Sequence, residues 1–360
     1  MEDIQTFDSF KIKSGIIGEY NIYFIKNLFL SFNQNINNKK LIYLIDDSLT
    51  DLYPREIKLI SENHKLIFID AIENNKTLNY VDRLVEKLIE AGVKKDSTLI
   101  AVGGGITQDI VAFISSVLFR GVDWEFFPTT LLAQCDSCIG SKSSINYKGY
   151  KNLLGTFLPP KNIFIYTPFL KTLEVKDIKS GIGEMSHYFL GKKESKINEL
   201  FDNYENLLID RSSLGPYIKE SLKIKKEMIE LDEYDKNERH IFNYGHTFGH
   251  ALEFVSNNII PHGQAVTIGI NIANFISMNK NLLTNKKFDE IYKLTKINFP
   301  EYKLSTSLIP DYIDALSKDK KNKDGYLGCI LLDQNHNLKK YFIEMDDDFI
   351  KMLTQFFEKD

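Results

Sequence analysis

Residues 97–105, STLIAVGGG, combine a short apolar run with three consecutive glycines. Two other short apolar runs precede this segment, at residues 40–46 and 65–72. Between the second run and the glycines, residues 77–93 space their apolar side chains at helical intervals, and Gly92 is a plausible stop signal. The order strand, helix, strand and glycine turn predicts an α/β domain with a parallel sheet and a nucleotide at its carboxyl edge.

The second half of the chain shows a different pattern. Strand patterns thin out from about residue 170, and helical periodicity dominates in stretches such as residues 217–234 and 243–256. A chain of 360 residues is also too long for one compact core. We therefore expect an α/β domain over residues 1–168, a mainly helical domain over residues 169–360, and an active site in the cleft between them.

The composition argues against several classes of partner. Lys and Arg total 45 against 49 acidic residues, which gives a formal charge of −4. The net charge therefore provides no overall electrostatic attraction to nucleic acid or to an anionic membrane. No apolar run approaches the roughly 20 residues of a membrane span. The N-terminal MEDIQTFDSF is acidic and polar, unlike a secretory signal. We expect a cytoplasmic protein with neither nucleic acid nor membrane as a partner.

Histidine and glutamate spacing indicates a metal site. His246 and His250 lie four apart in NYGHTFGHALE, so a helix would place both on one face, and His262 follows in PHGQAV. Glu184 and His187 form an E-x-x-H pattern in GIGEMSHYFL. Carboxylate and imidazole ligands suit zinc with one position left open. Spacing alone does not show which of these five residues would bind the metal.

A lysine-rich loop suits an anionic ligand. The stretch DSCIGSKSSINYKGYKNLLG gathers Asp136, Lys142, Lys148, Lys151 and Asn152 among small residues. Lysines among Gly and Ser near a nucleotide turn would bind a phosphorylated substrate, although a solvated loop is an equal alternative. The C-x-x-C formed by Cys135 and Cys138 stands alone, which favours buried, inert thiols over a redox pair or half a zinc site.

Five motifs occur together and in order: VGGGITQDIVAFISSVLFRGV, FPTTLLAQCDSCIGSKSSIN, KNLLGTFLPP, NYGHTFGHALE and HGQAV. In these motifs, from about Asp46 to residues 319–321, the chain resembles the 3-dehydroquinate synthase family, the sugar phosphate cyclases. The resemblance implies a Rossmann-like NAD-binding domain over residues 1–168 and an all-α metal- and substrate-binding domain over residues 169–360. It also implies a bound NAD, one zinc or cobalt ion, and a homodimer.

The resemblance further implies roles for individual residues. The metal ligands would be Glu184, His246 and His262, and His250 would instead help to hold the substrate phosphate. The residues implied at NAD are Asp46, Glu73, Lys76, Gly104, Gly105, Asp109, Thr129, Thr130, Lys151 and Thr172. The residues implied at the substrate are Asp136, Lys142, Asn152, Lys225, Arg239, Asn243, His250 and Lys320, with Arg120 reaching the phosphate across the dimer interface.

The chemistry implied is a cyclisation without net redox. NAD oxidises a metal-held alcohol, phosphate is eliminated, the hydride returns, and an intramolecular aldol closes a carbocycle. Lys225 and Arg239 stand where the family clamps a carboxylate, and Lys320 in DKK also resembles the dehydroquinate synthase branch of the family. These three residues favour a seven-carbon phosphorylated 2-keto acid as substrate and 3-dehydroquinate as product.

One departure from the family pattern keeps alternatives open. His187 occupies the place of a lysine, and its shorter, near-neutral ring does not replace that charge. A cyclase acting on another sugar phosphate, a heptulose or hexose phosphate, is therefore the first alternative. An NAD-dependent metal polyol dehydrogenase is the second. A catalytically dead ligand-binding relative is the third, and the intact Glu184, His246 and His262 argue against it.

Overall fold

The computed structural model describes residues 6–28, 41–319 and 321–359. The chain divides into two compact units, and each is described by itself. The first runs to Leu173 and also includes Lys226–Tyr234, while the second comprises Glu174–Lys225 and the chain from Asp235 onward. The domain boundary between residues 168 and 169 stays a prediction from the sequence.

A seven-stranded sheet forms the centre of the first unit, in the order β1-β2-β9-β6-β5-β3-β4. The strands of this unit are β1 (Thr6–Ser14), β2 (Gly18–Ile25), β3 (Leu41–Asp46), β4 (Lys65–Ile69), β5 (Thr98–Gly103), β6 (Asp123–Pro128), β7 (Ile145–Tyr147), β8 (Tyr150–Leu154) and β9 (Asn162–Ile165). β1 and β2 pair antiparallel, and the other neighbours in the sheet pair parallel. β7 and β8 form a separate hairpin.

The three apolar runs predicted as strands are confirmed as β3, β4 and β5. The predicted helix is α3 (Leu78–Glu90), and Gly92, with φ of 81°, lies just beyond its end. The helices of this unit are α1 (Leu49–Leu52), α2 (Pro54–Asn63), α3 (Leu78–Glu90) and α4 (Gly105–Val117), with 3₁₀ turns at Glu73–Asn75, Leu118–Arg120 and Thr167–Thr172 and a π-helical turn at Ala133–Ser137. Cys135 and Cys138 are buried thiols outside any disulfide, as the sequence favoured.

The strand order places a topological switch point between β3 and β5. From β3 the chain adds β4 on one side, and from β5 it adds β6 and then β9 on the other. The residues after β3 and β5 therefore lie at the carboxyl edge where connections leave in opposite directions, the usual ligand position in such sheets.

The second unit is mainly helical. Its helices are α5 (Val175–Lys192), α6 (Glu194–Asp202), α7 (Tyr204–Ile209), α8 (Gly215–Leu231, continuing into the first unit from Lys226), α9 (His246–Val255), α10 (His262–Asn279), α11 (Asn285–Thr295), α12 (Ile309–Ser317) and α13 (Asp347–Lys359). 3₁₀ turns lie at Arg211–Leu214, Glu238–Asn243, Lys296–Asn298 and Thr306–Leu308.

The expected helical second domain is confirmed, and the structure adds one β hairpin to it. β10 (Tyr326–Leu332) and β11 (Leu338–Glu344) form an antiparallel hairpin. β10 is apolar and buried after its first residue, so its sequence fits a buried strand and a buried helical turn equally well. Short apolar runs of this kind are ambiguous without knowledge of what packs on them.

α10 is the central helix of the second unit. Every residue from Gly263 to Ser277 is buried, because other elements cover the helix on all sides. A Cβ on Gly183 of α5 would collide with the carbonyl oxygen of Gly263, so the α5 and α10 backbones are in contact. No helix in the described ranges is long and apolar enough to cross a membrane.

Candidate active site

A carboxylate and two imidazoles converge in the second unit. Glu184 lies within α5, and His246 and His262 are the first residues of α9 and α10. Glu184 Oε1 is 3.7 Å from His246 Nε2 and 3.0 Å from His262 Nε2, and one ligand atom from each residue lies within 4.8 Å of the others. Glu184 Oε1 is buried, and no described donor meets it with hydrogen-bond geometry. Such a donor set fits a metal ion.

The second ring nitrogens of both histidines have partners. His246 Nδ1 lies 3.2 Å from the carbonyl oxygen of Tyr244. His262 Nδ1 lies 2.9 Å from Glu253 Oε2. Such contacts fix each ring so that Nε2 is directed at a metal. The sequence interpretation missed Glu253, although it stands seven residues after His246 in the same motif.

The electrostatics of the three groups are strongly linked. Burial would raise the pKa of Glu184, but His246 and His262 hold it well below its usual value, so Glu184 is ionised. Burial lowers the pKa of His246 to about 3, leaving that ring neutral. Burial also lowers the pKa of His262, but Glu184 and Glu253 more than offset this and hold it well above its usual range. A cation at this point would replace the His262 proton.

The structure separates the five metal candidates. His187 is buried with its Nε2 3.1 Å from Glu184 Oε2, the other oxygen of that carboxylate. His250 is exposed, and its ring centroid lies 5.5 Å from those of both His246 and His262. His250 also forms a looser candidate group with Glu253 and His262. Glu184, His246 and His262 are the most buried convergent set.

The other predicted substrate residues of this unit lie on two elements. Lys225 and Arg239 are buried, at 5% and 9% exposure, on α8 and on the 3₁₀ turn before α9. Asn243 ends that turn and donates its Nδ2 hydrogen to the His240 carbonyl at 3.2 Å. Lys320 lies outside the described residues. The sequence interpretation did not name its neighbour Lys321. Burial is the largest effect that lowers the pKa of His246, and the positive charge of Lys321 lowers it further by a smaller amount.

In the first unit, predicted NAD residues follow the strands at the switch point. Asp46 ends β3, and its Oδ1 accepts hydrogen bonds from the Ser48 amide at 3.1 Å and hydroxyl at 2.7 Å. Gly104 and Gly105 begin α4, whose N-terminus no side chain caps. A Cβ on Gly104 would meet Thr130 Cγ2 at 3.0 Å, so a larger residue there would crowd Thr130. This arrangement suits a diphosphate.

Other predicted residues of this unit surround those strand ends. The Thr129 amide donates to the Gly103 carbonyl at 2.9 Å, and the Thr172 hydroxyl lies 3.0 Å from the Tyr53 hydroxyl. Asp136 lies in the π-helical turn after β6. Lys142, Lys151 and Arg120 are exposed. These positions are compatible with ligand contacts.

A polar network around the buried Lys76 ammonium joins the remaining predicted residues of the first unit. The Lys76 ammonium donates to Asp109 Oδ2 at 3.0 Å and to Asn152 Oδ1 at 2.6 Å. It also donates to Ser144 Oγ at 3.2 Å. Glu73 Oε1 accepts from Asn146 Nδ2 at 2.8 Å. The sequence interpretation named neither Ser144 nor Asn146, since nothing in a loop composition shows which small polar residue faces a lysine.

Comparison with known proteins identifies the family. The family model described as 3-dehydroquinate synthase N-terminal matches residues 66–180, and the model described as 3-dehydroquinate synthase C-terminal matches residues 181–322. The chain belongs to the 3-dehydroquinate synthase family. It is therefore an enzyme of the phosphate-eliminating cyclases, a lyase.

Individual members of the 3-dehydroquinate synthase family match most of the chain. The 3-dehydroquinate synthase of Clostridium tetani (strain Massachusetts / E88) is 38% identical over 306 residues, covering 82% of this chain and 80% of the relative. That of Thermoanaerobacter pseudethanolicus is 32% identical over 326 residues, covering 87% and 91%. A crystal structure of 2-deoxy-scyllo-inosose synthase, complexed with carbaglucose-6-phosphate, NAD⁺ and Co²⁺, has a TM-score of 0.83 at 23% identity, covering 98% of this chain and 100% of that chain. The structural likeness confirms the predicted fold.

Proposed function

We propose that this protein is a 3-dehydroquinate synthase that uses NAD and zinc or cobalt. It would convert a seven-carbon phosphorylated 2-keto acid to 3-dehydroquinate and phosphate. The observation that carries the proposal is the convergence of Glu184 Oε1, His246 Nε2 and His262 Nε2. The names and identity of the relatives support the same reaction.

The metal would be held by Glu184, His246 and His262. One buried anionic oxygen and two ring nitrogens leave a coordination position for a substrate oxygen, as in catalytic zinc sites. When bound, the ion would acidify the substrate hydroxyl whose carbon gives its hydride to NAD. The contacts of His246 with the Tyr244 carbonyl and of His262 with Glu253 keep both rings oriented.

NAD would bind at the switch point of the first unit. The uncapped helix N-terminus at Gly105 offers amide hydrogens and a positive dipole end to the diphosphate. Asp46 ends β3 beside that turn and would accept hydrogen bonds from the adenosine ribose hydroxyls. NAD supplies the reversible hydride acceptor, and its regeneration makes the reaction redox-neutral.

The anionic ends of the substrate would be held by cations and donors. Lys225 and Arg239 are buried and would pair with the carboxylate, whereas His250 and Asn243 would meet the phosphate. A buried Arg–carboxylate pair is planar and bidentate, so it selects an acid over a neutral hydroxyl group. The phosphate would act as its own base in the elimination.

The deciding experiment supplies purified protein, NAD and zinc with a panel of phosphorylated keto acids and sugars. Phosphate release and the carbocyclic product are followed together with absorbance at the NADH wavelength. We expect phosphate release with the seven-carbon keto acid and no net NADH. Net NADH accumulation would instead identify a dehydrogenase.

The names of the relatives do not favour the alternative cyclase, but one observation gives a reason to test it. His187 is engaged with Glu184 Oε2 and occupies the position of a lysine that the family would present to the substrate. A pocket with one cation fewer suits a less anionic substrate, namely a heptulose or hexose phosphate. Phosphate release with these sugars alone in the same panel would establish this alternative.

We also propose that the protein is a cytoplasmic homodimer in which Arg120 reaches the substrate phosphate of the partner subunit. Arg120 is exposed on a left-handed backbone turn, with φ of 60°, which places its side chain outside its own unit's core. Sedimentation tests the dimer. Mixing an Arg120→Ala protein with an inactive metal-site variant tests the shared site, because mixed dimers would regain one complete site.

A further inference from the structure

Arg120 lies at the edge of the sheet opposite to the switch point. β5 and β6 run parallel, and their register pairs Thr98 with Asp123 at the amino ends. Arg120 comes three residues before β6 begins, so it lies near this amino edge. Each strand has six residues, and steps of about 3.3 Å separate the two edges by about 17 Å, farther than an arginine side chain extends. Arg120 therefore cannot contact a ligand at the switch point of its own unit.

The turn that carries Arg120 has an unfavourable backbone. Three consecutive residues have positive φ: Phe119 at 50°, Arg120 at 60° and Gly121 at 114°. The left-handed region crowds the Cβ of an L-residue, and a bulky side chain such as that of Phe119 rarely occupies it. Phe119 is also 45% exposed, so burial of its ring in its own unit does little to offset this cost. Strain of this kind persists only where surrounding contacts hold it.

Lys95 holds the turn on both sides of Arg120. Its ammonium donates to the carbonyl oxygen of Phe119 at 2.9 Å and also to that of Gly121. These carbonyls follow the end of α4, where a helix leaves acceptors without helical partners and its dipole favours a cation. The two hydrogen bonds fix the peptide groups beside Arg120 and thereby set the direction in which its side chain leaves the backbone.

The position of Lys95 follows from the register of the sheet. Lys95 comes three residues before β5, as Arg120 comes three residues before β6, so the two turns are neighbours at the amino edge. The turn containing Lys95 is itself fixed. The Ser97 amide donates to the Lys94 carbonyl at 3.0 Å, and the Lys94 amide donates to Ser97 Oγ at 2.9 Å. Ser97 is buried, so the backbone of Lys95 starts from a set point and only its side chain needs ordering.

We propose that Lys95 is a positioning residue for Arg120, because it fixes the strained turn that presents the guanidinium group to the partner subunit. The contact of Arg120 with the substrate phosphate belongs to the proposed function, on which this inference rests. Lys95 makes no substrate contact of its own. It acts across the dimer, so that Lys95 of one protomer supports turnover in the site of the other.

Lys95→Met tests the proposal, since it removes the ammonium and keeps the apolar stem. The variant is compared with wild type by kinetics with the substrate that the panel identifies, and its melting temperature shows that it is folded. We expect kcat/KM to fall about 3- to 10-fold, the cost of about one hydrogen bond lost from the phosphate. Unchanged kcat/KM in Lys95→Met overturns the proposal.

Lys94→Met is the matched control, because Lys94 is exposed in the same turn and its loss changes the net charge equally. We expect it to behave as wild type. Equal losses in Lys94→Met and Lys95→Met would show a general effect of surface charge and would overturn the role of Lys95. Lys95→Arg keeps a cation with donors for both carbonyls, and we expect it to retain kcat/KM within about threefold of wild type.

A double-mutant cycle supplies the readout that a purely structural lysine would not give. Lys95→Met should cost no further activity in a protein that already carries Arg120→Ala, because no guanidinium group is left to position. Additive losses would show that Lys95 acts by another route and would overturn the proposal.

Mixed dimers test whether Lys95 acts across the interface. Lys95→Met and Glu184→Ala chains are coexpressed with different tags, and the mixed dimer is purified through both. Its one intact metal site lies in the Lys95→Met subunit and receives Arg120 from a subunit with an unaltered Lys95. We expect about half the wild-type activity per dimer, which is full activity per intact site. A site that stays as slow as in the Lys95→Met homodimer overturns the proposal.

The outcomes separate this inference from the proposed function. Full activity of Arg120→Ala contradicts the shared site and the role of Lys95 with it, whereas a loss in Arg120→Ala alone overturns only the role of Lys95. A wild type inactive on the whole panel contradicts the proposed function. Titration of the zinc- and NAD-loaded protein with inorganic phosphate then compares the same variants without turnover, and an equal Kd in wild type and Lys95→Met overturns the proposal.

Discussion

The two carboxylate oxygens of Glu184 contact different partners. Oε1 faces His246 and His262, whereas Oε2 lies 3.1 Å from His187 Nε2. One oxygen is thus available to a metal and the other is held by a buried ring. A carboxylate fixed at one oxygen loses little rotational freedom when a cation binds at the other, which favours metal binding.

His187→Ala should therefore weaken metal binding without removing a ligand. We expect the zinc affinity to fall about 10- to 100-fold, the usual cost of losing an outer-shell partner. Competition with a chelating dye measures this affinity directly. His240→Ala is the control, since His240 contacts the Asp235 carbonyl and not Glu184. Unchanged zinc affinity in His187→Ala would show that Glu184 needs no support from His187.

His246 and His250 should differ in what their removal costs. His246 Nε2 lies 3.7 Å from Glu184 Oε1 and belongs to the metal set, so His246→Ala should lose bound metal, whereas His250→Ala should keep metal and lose turnover. Metal content by mass spectrometry, together with phosphate release, measures both effects. Equal metal loss in the two variants would refute this division of roles.

At the scale of elements, the metal ligands are brought together by helices whose backbones touch. A Cβ on Gly183 would collide with the Gly263 carbonyl oxygen, and a Cβ on Gly263 would collide with the Ser180 carbonyl oxygen. Glu184 directly follows Gly183, and His262 directly precedes Gly263. The closeness of α5 and α10 therefore sets the distance between a carboxylate and an imidazole.

Gly183→Ala should damage stability and metal binding together. The added methyl group must push α5 from α10, which we expect to cost about 1–3 kcal/mol of unfolding free energy and to weaken zinc binding. Gly191→Ala, in the same helix, is the control because its Cβ would meet only the flexible end of Leu338. Denaturant unfolding and zinc titration of both variants provide the measurement. Equal effects of the two substitutions would contradict the helix-contact argument.

The sequence predicts elements best where their pattern is local. β3, α3 and β5 were identified because an apolar run or a helical period is complete within each segment. The β1–β2 hairpin and the β10–β11 hairpin were missed, since their pairing depends on partners elsewhere in the chain. The same limit applies to the site. Motifs indicated the residues near Glu184, but Glu253 and Ser144 are recognisable only from the side chains that they contact.

At the scale of the whole molecule, the two proposed ligands belong to different compact units. The residues proposed for NAD, from Asp46 to Thr172, lie in the first unit, and the metal residues lie in the second. Each unit has its own buried core, around β3 and β5 in one and around α10 in the other. Ligand binding stabilises the folded state of the part that binds it.

Scanning calorimetry should therefore show two transitions that respond to different ligands. At a concentration 100 times its Kd, a ligand adds about 2.7 kcal/mol to the stability of the unit that binds it. For a unit of this size, that gain corresponds to a rise of about 5–10 °C in melting temperature. Zinc should raise one transition and NAD the other, and Gly183→Ala should lower only the zinc-sensitive one. A single transition raised by both ligands would instead show that the units unfold as one cooperative structure, because stabilising either half would then stabilise the whole.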